Sequence, residues 1–144
     1  MTKPTLGADI PSRAVLLDTC ALLDLSVDPL KIKADVRDSL SDLSTTVVVS
    51  AASAWEIAIK VRQGKLPGGE HLTAAWGQSL IDLKADPLDI DADDAIRAGT
   101  LRWAHRDPFD RMLVAQAIRH NLPVVTSDNV IIDAGMVPTI NSRG

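Results

Sequence analysis

Three short apolar runs, separated by segments with helical patterns, constrain the fold of this chain more than any other feature. The runs cover residues 14–17, 45–49 and 124–126, and the second is β-branched throughout, as is typical of strands. Strands that are apolar along their whole length are buried on both faces and belong to parallel sheets covered by helices. The sequence therefore predicts an α/β fold with a mostly parallel central sheet flanked by helices.

The segments around these runs have helix-start and helix-stop signals. Ser50 and Asp91 are predicted N-caps, and Gly64 follows the predicted end of one helix. Short strands are predicted at 88–90 and 137–140. The predicted helices cover 22–26, 29–43, 51–63, 67–82, 92–101, the segment from 108 onward, and a short one around 131–132.

Length and composition predict one globular domain. The chain has 144 residues, of which 46% are hydrophobic and 24% charged. Proline and glycine near the start predict a flexible N-terminal tail over 1–13, followed by a single domain over 14–144. No apolar run approaches the roughly 18 residues of a membrane span, and residues 1–12 lack a signal-peptide core. We therefore expect a soluble cytoplasmic protein without membrane attachment.

Charge and cysteine content exclude several classes of function. A net charge of −4 argues against a protein that coats nucleic acid by bulk charge, although it leaves room for a metal-dependent nuclease. Cys20 is the only cysteine, which excludes a disulfide framework and a thiolate metal cluster. We expect Cys20 to be a buried, small apolar side chain. Trp55, Trp76 and Trp103 are predicted to lie in the core.

The start of the helix after residue 107 has two carboxylates. Asp107 is a predicted N-cap, Pro108 suits the first helical position, and Asp110 falls in the first turn. Asp110 is open to two interpretations. It is either a favourable charge at the positive end of the helix, or an ion that needs a partner because Val114 and Ala117 make its face apolar.

Glu56 is also open to two interpretations. Glu56 and Lys60 are spaced as a surface ion pair on one helix face. The alternative places Glu56 with three other acids, because Asp18 ends one strand, Asp128 follows another, and the carboxyl ends of parallel strands meet at one crevice. Clustered carboxylates repel unless a cation shares them, and ligation by oxygen alone favours Mg²⁺ or Mn²⁺. Such a site suits phosphodiester hydrolysis.

Four motifs, in their order along the chain, resemble those of a PIN domain, and in particular those of VapC-like toxins of type II toxin–antitoxin systems. The resemblance runs from Ala14 to Ile140. The motifs are Leu-Leu-Asp-Thr at 16–19, the segment 49–60 with Trp-Glu-Ile at 55–57, His-Arg-Asp-Pro-Phe-Asp-Arg at 105–111, and Val-Thr-Ser-Asp at 125–128.

The resemblance implies a PIN-like three-layer fold and a Mg²⁺-dependent endoribonuclease, with Mn²⁺ as a possible substitute for Mg²⁺. It implies that Asp18, Glu56, Asp110 and Asp128 are both catalytic and metal-binding, which overrides the surface-pair interpretation of Glu56. It also implies a homodimer and a cognate antitoxin that packs over the active-site groove. The alternative is a catalytically silent PIN-fold module that binds RNA or protein.

Residues near these acids receive supporting assignments. Arg106, Arg111 and Thr126 are candidate substrate-binding residues, and the alternative for Arg111 is an ion pair with one of the four acids. Asp107, beyond its role as a cap, and Thr19 are expected to support the metal ligands, and His105 is expected to be structural. The sequence departs from the resemblance at Cys20, where many relatives have histidine, and at 138–144, which lacks an aromatic residue.

Overall fold

The structure is a computed structural model that describes residues 13–144. It has a five-stranded sheet in which every pair of neighbouring strands is parallel, in the order β3-β2-β1-β4-β5. The prediction of an α/β fold with a parallel sheet is confirmed. The predicted tail lies outside the described residues, except that Arg13 is the first residue of β1. The strands are β1 (Arg13–Leu17), β2 (Thr45–Ser50), β3 (Ala85–Leu88), β4 (Val124–Thr126) and β5 (Thr139–Asn141).

Helices connect the strands. Ser50, Asp91 and Asp107 are N-caps as predicted, and their side chains accept hydrogen bonds from the backbone of the turns that follow. The helices are α1 (Thr19–Val27), α2 (Ala34–Ser41), α3 (Ala51–Arg62), α4 (Glu70–Ala74), α5 (Trp76–Asp82), α6 (Ala92–Thr100), α7 (Pro108–His120) and α8 (Asn129–Ala134), with a 3-10 turn at Pro29–Lys31.

Helices pack on both faces of the sheet, which gives the domain three layers, because successive side chains of each strand point to opposite faces. Leu17 of β1 points to one face of the sheet and packs with Leu22 of α1 and Ile57 of α3. Leu16 points to the opposite face and packs with Leu113 of α7 and with α8. The central strands are therefore buried on both faces, as their unbroken apolar sequence predicts.

Two predicted helices are interrupted. In the segment 29–43, Ile32 adopts an extended conformation in which it is buried, and the backbone N–H of Lys33 donates to Ser142 O at 2.8 Å. In the segment 67–82, Ala75 leaves the helical conformation with φ −136° and ψ 48°. The helices on either side, α4 and α5, then each bury one leucine of the predicted apolar stripe.

The outer strands lie at other positions than predicted. The strand expected at 88–90 is β3 at Ala85–Leu88, which contains Pro87. A proline cannot donate to a sheet ladder, but β3 is an edge strand and tolerates it. The last strand is Thr139–Asn141 instead of 137–140, since its pairing with β4 begins at Thr139.

The strand order creates a crevice at the centre of the sheet. From β1 the chain moves outward to β2 and β3 on one side, then crosses to β4 and β5 on the other. The carboxyl ends of β1 and β4 are therefore neighbours at the point where the strand order reverses, which is where open parallel sheets bind ligands. Within residues 13–144, no helix is long and apolar enough to cross a membrane.

Candidate metal centre

Asp18 lies at the carboxyl end of β1 and is only 4% exposed. One carboxylate oxygen, Oδ1, accepts a hydrogen bond from the backbone N–H of Ala21 at 2.7 Å and so caps α1. The other oxygen, Oδ2, accepts from the hydroxyl of Thr126 at 2.5 Å. The side chain is thus fixed by groups from α1 and β4.

Asp128 and Asp18 share a hydrogen-bond partner, the hydroxyl group of Thr126. The Thr126 hydroxyl that donates to Asp18 also accepts from the backbone N–H of Asp128 at 2.9 Å. Asp128 in turn caps α8, with Oδ1 accepting from the N–H of Val130 at 2.9 Å. Thr126 is fully buried, and both hydrogen bonds of its hydroxyl are to these acids, so it positions them; its role in substrate binding stays a prediction.

Glu56 reaches the crevice from α3. The hydroxyl of Thr19, the first residue of α1, lies 3.0 Å from the hydroxyl of Ser53, three residues before Glu56 on α3. This contact holds the start of α1 against the face of α3 that bears Glu56. Glu56 is buried and its Oε2 accepts from Lys60 Nζ at 2.8 Å. The predicted ion pair exists, but its carboxylate is not on the surface.

Asp110 enters from the first turn of α7. Asp107 Oδ1 accepts from the N–H groups of Phe109 at 2.9 Å and Asp110 at 3.2 Å, which confirms it as the N-cap. Asp110 Oδ2 lies 2.7 Å from Nε2 of His105, whose ring packs on Trp103 with centroids 4.8 Å apart. His105 therefore does more than the structural role expected from sequence, since it orients Asp110.

The acids influence one another electrostatically. Burial raises the pKa of Asp18 from its ordinary 3.8 to about 6, hydrogen bonds from Thr126 and Ala21 oppose that rise, and the negative charges of Asp110 and Asp128 add to it. The pKa of Asp110 is also raised, chiefly by burial and further by Asp107 and Asp128, against the hydrogen bond from His105. These carboxylates therefore share one desolvated region in which ionisation is unfavourable without added positive charge.

The positions of the side chains show which acids are already close enough to share a cation. Among residues 13–144, ligand atoms of His105, Asp107 and Asp110 lie within 4.8 Å of one another, whereas no three of the four predicted acids form such a group. Glu56 pairs with Lys60, and Asp110 pairs with His105. The donor set is mainly carboxylate oxygen, which fits Mg²⁺ or Mn²⁺ better than a soft metal.

Arg111 has a role that its sequence context did not indicate. Its guanidinium donates to five backbone carbonyls at the end of α6 and in the loop before α7, and the shortest contact is 2.7 Å to Trp103 O. Among the described residues it pairs with none of the four acids. Since these carbonyls engage its donors, Arg111 fixes the loop that carries His105 and is not a free phosphate ligand. Arg106, by contrast, is exposed.

Two side chains that were predicted to be buried are exposed. Cys20 is exposed near the crevice, and desolvation by its neighbours, together with the charges of Asp18 and Glu56, raises the pKa of its thiol to about 11. Trp55 is 59% exposed and meets Phe109 edge to face with ring centroids 4.9 Å apart. Both aromatic rings line an apolar groove of about 260 Å³ between α3, α6 and α7.

The fold and site together define a parallel α/β domain with a crevice of acids at its topological switch point. Its family is established by sequence: the PIN domain family matches residues 15–135, so the chain belongs to the PIN domain family.

Comparison with individual proteins agrees with this assignment. The chain is 37% identical to Ribonuclease VapC16 of Mycobacterium tuberculosis (strain ATCC 25618 / H37Rv) over 57 residues, which are 40% of each chain. The match thus spans less than half of that relative.

Solved structures show the same fold. VapBC2 from Rickettsia felis, bound to a DNA fragment from their promoter, gives a TM-score of 0.68 at 16% identity, covering 90% of this chain and 98% of the other. FitAcB from Neisseria gonorrhoeae gives 0.59 at 24% identity, covering 88% and 96%.

Proposed function

We propose that this PIN domain is a Mg²⁺-dependent endoribonuclease toxin of a type II toxin–antitoxin module, which hydrolyses RNA phosphodiester bonds. The observation that carries the proposal is the buried Asp18 carboxylate, whose ionisation is disfavoured by its burial and by Asp110 and Asp128. A protein gains nothing in stability from such an arrangement, whereas a divalent cation binding there would relieve it. The relative at 37% identity carries the name ribonuclease.

Within this proposal Asp18, Glu56, Asp110 and Asp128 hold the metal ion, for which Mn²⁺ could substitute. When bound, the ion supplies positive charge that acidifies a water molecule and neutralises the phosphate. The four carboxylates would fix the position of the ion, and one of them would accept the proton of the attacking water. Thr126, Thr19 and the cap Asp107 keep the acids in place through the hydrogen bonds described above. Arg106 is exposed and remains a candidate contact for RNA phosphates.

The partners we propose are a cognate antitoxin, the RNA substrate and a second copy of the chain. The antitoxin is implied by the resemblance to VapC-like toxins and by the likeness to VapBC2. The exposed Trp55 and the apolar groove beside it form a surface suited to the homodimer that the resemblance implies. We place the protein in the cytoplasm, in keeping with an intracellular RNA substrate.

The proposal is tested by incubating the purified chain with total cellular RNA, in Mg²⁺ or in EDTA, beside the Asp110→Asn variant. We expect cleavage by the wild type in Mg²⁺ only, and a loss of at least about 100-fold in the variant, as for removal of one charged group from a catalytic site. RNA binding without cleavage in Mg²⁺ or in Mn²⁺ would instead favour a silent binding module. Growth arrest on induction, relieved by Asp110→Asn, would identify a nuclease with a narrow substrate.

A further inference from the structure

Lys60 is a partly exposed lysine that pairs with the buried carboxylate of Glu56. Its Nζ is 2.8 Å from Oε2 of Glu56, whose side chain is 8% exposed, while that of Lys60 is 41% exposed. The ammonium group therefore stands at the boundary between the buried carboxylate and solvent. A substrate entering the crevice could reach it.

The surroundings of Lys60 come from more than its own helix. The hydrogen bond to Glu56 raises the pKa of Lys60, burial opposes that rise, and the negative charges of Glu56 and Asp107 add to it. Cys20 follows Asp18 by two residues on α1, and Asp107 precedes Asp110 by three residues at the start of α7. Lys60 is therefore close enough to the start of α7 for the charge of Asp107 to act on it.

Lys60 neutralises a buried carboxylate that the proposed metal ion would also neutralise. An exposed pair at this helical spacing contributes only about 0.3–0.5 kcal/mol, but an uncompensated buried carboxylate is costly, so Glu56 needs one cation or the other. A divalent ion at Glu56 repels the ammonium group. The lysine side chain has four flexible carbons and three donors, which allow it to turn away and bind another anion.

We propose that Lys60 is a catalytic residue of the proposed RNA cleavage. Its ammonium group pairs with Glu56 when no metal ion is bound, and donates hydrogen bonds to the non-bridging oxygens of the scissile phosphate once the metal ion takes its place. The inference rests on the proposed function, to which it adds a second positive charge beside the metal ion. Negative charge builds up on those oxygens in the transition state. A charged donor beside them stabilises that charge and so accelerates the reaction.

The proposal predicts opposite effects on two measured quantities when Lys60 is replaced by glutamine. Glu56 loses its competing cation, so metal affinity rises. The phosphate loses a charged donor, so cleavage at saturating metal falls. A lysine that only paired with Glu56 would give the gain in metal affinity without a rate loss at saturating metal, so the rate loss is the result that identifies a catalytic role.

The experiment compares the wild type with Lys60→Gln and with Arg62→Gln, which removes the same charge from an exposed position on the same helix. Mn²⁺ binding is followed by the electron paramagnetic resonance of the free ion, and RNA cleavage is timed at saturating Mg²⁺. For Lys60→Gln we expect Mn²⁺ to bind several-fold more tightly and the rate of cleavage to fall by about 100-fold. Arg62→Gln should change neither quantity by more than about twofold.

Two results would overturn the role of Lys60 without touching the proposed function. One is cleavage by Lys60→Gln within twofold of the wild-type rate; the other is Mn²⁺ affinity that is unchanged or weaker in that variant. If the wild type cleaves no RNA under any metal condition, the proposed function fails, and the catalytic role of Lys60 fails with it. Lys60→Arg, which keeps the charge, should recover part of the rate.

Discussion

Asp18→Asn should stabilise the metal-free protein at neutral pH, although it removes a proposed metal ligand. The pKa of Asp18 rises from 3.8 to about 6 on folding. The folded protein thus retains this proton to higher pH than the unfolded chain, and the free energy of unfolding falls as pH rises from about 4 to about 6. At about 1.4 kcal/mol per pKa unit, the ionised carboxylate costs about 3 kcal/mol above pH 6.

Asparagine removes this cost but disturbs one hydrogen bond. Its side-chain oxygen can still accept from the N–H of Ala21 and cap α1, since asparagine and aspartate are equally good N-caps. Its amide group replaces the oxygen that accepts from Thr126, and that hydroxyl must turn, at a cost of about 1 kcal/mol. The expected net gain is about 2 kcal/mol at pH 7.5, or roughly 6 °C in Tm for a domain of this size.

The assay is urea and thermal unfolding in EDTA at pH 7.5 and at pH 4, then again with Mg²⁺. At pH 4 the gain should vanish, because Asp18 is protonated in the folded wild type, and Mg²⁺ should stabilise the wild type more than the variant. Asp24→Asn is the matched control. Asp24 is as buried as Asp18, but it pairs with Arg143 at 2.7 and 2.9 Å. This change should therefore lower the free energy of unfolding by about 2 kcal/mol. A variant at Asp18 that is less stable than wild type at pH 7.5 would refute the reasoning.

Two further predictions concern the helices around the crevice. Arg111→Lys should lower the free energy of unfolding by about 3 kcal/mol, because lysine cannot reach the five carbonyls that the guanidinium binds; urea titration should show no such loss for Arg106→Lys, which is exposed. Trp55→Glu should convert the proposed dimer to monomer in sedimentation at micromolar concentration, whereas Val130→Glu, an exposed apolar position outside the groove, should not. A dimer that persists in Trp55→Glu would place its interface elsewhere.

Local sequence signals predicted those parts of the site that depend on one element. The run before Asp18, the cap at Asp107 and the first-turn position of Asp110 are each specified by a few neighbouring residues, and each is found as expected. The role of Arg111 could not be predicted in this way. Its partners are backbone carbonyls, which every residue has, so the loop sequence does not show that they bind a guanidinium. The strand predicted at 88–90 begins at Ala85 and includes Pro87, which is tolerated because β3 lies at the sheet edge, and no local sequence signal reveals that position.

Glu56 illustrates why the two interpretations of one pattern could not be separated from sequence. A glutamate and a lysine four residues apart form the same pair whether their helix face is exposed or buried. In the structure this face points inward because residues distant in sequence hold α3. The hydroxyl of Thr19 is hydrogen-bonded to that of Ser53. Ser50, the cap of α3, donates to Gln116 of α7 at 2.5 Å. The role of Glu56 therefore depends on how α1 and α7 hold α3, which no local window contains.

The acids of the crevice also serve as helix caps, and this affects how their variants must be interpreted. Asp18 and Asp128 each use one oxygen to cap the helix that follows, and the other oxygen of Asp18 accepts from the Thr126 hydroxyl. Replacement by alanine removes the cap as well as the charge and costs about 1 kcal/mol, so a loss of cleavage would not separate folding from chemistry. Asparagine keeps the cap and removes the charge, and at position 18 it also requires the Thr126 hydroxyl to turn. Loss of cleavage in an asparagine variant that folds as stably as the wild type therefore reports on the metal centre itself.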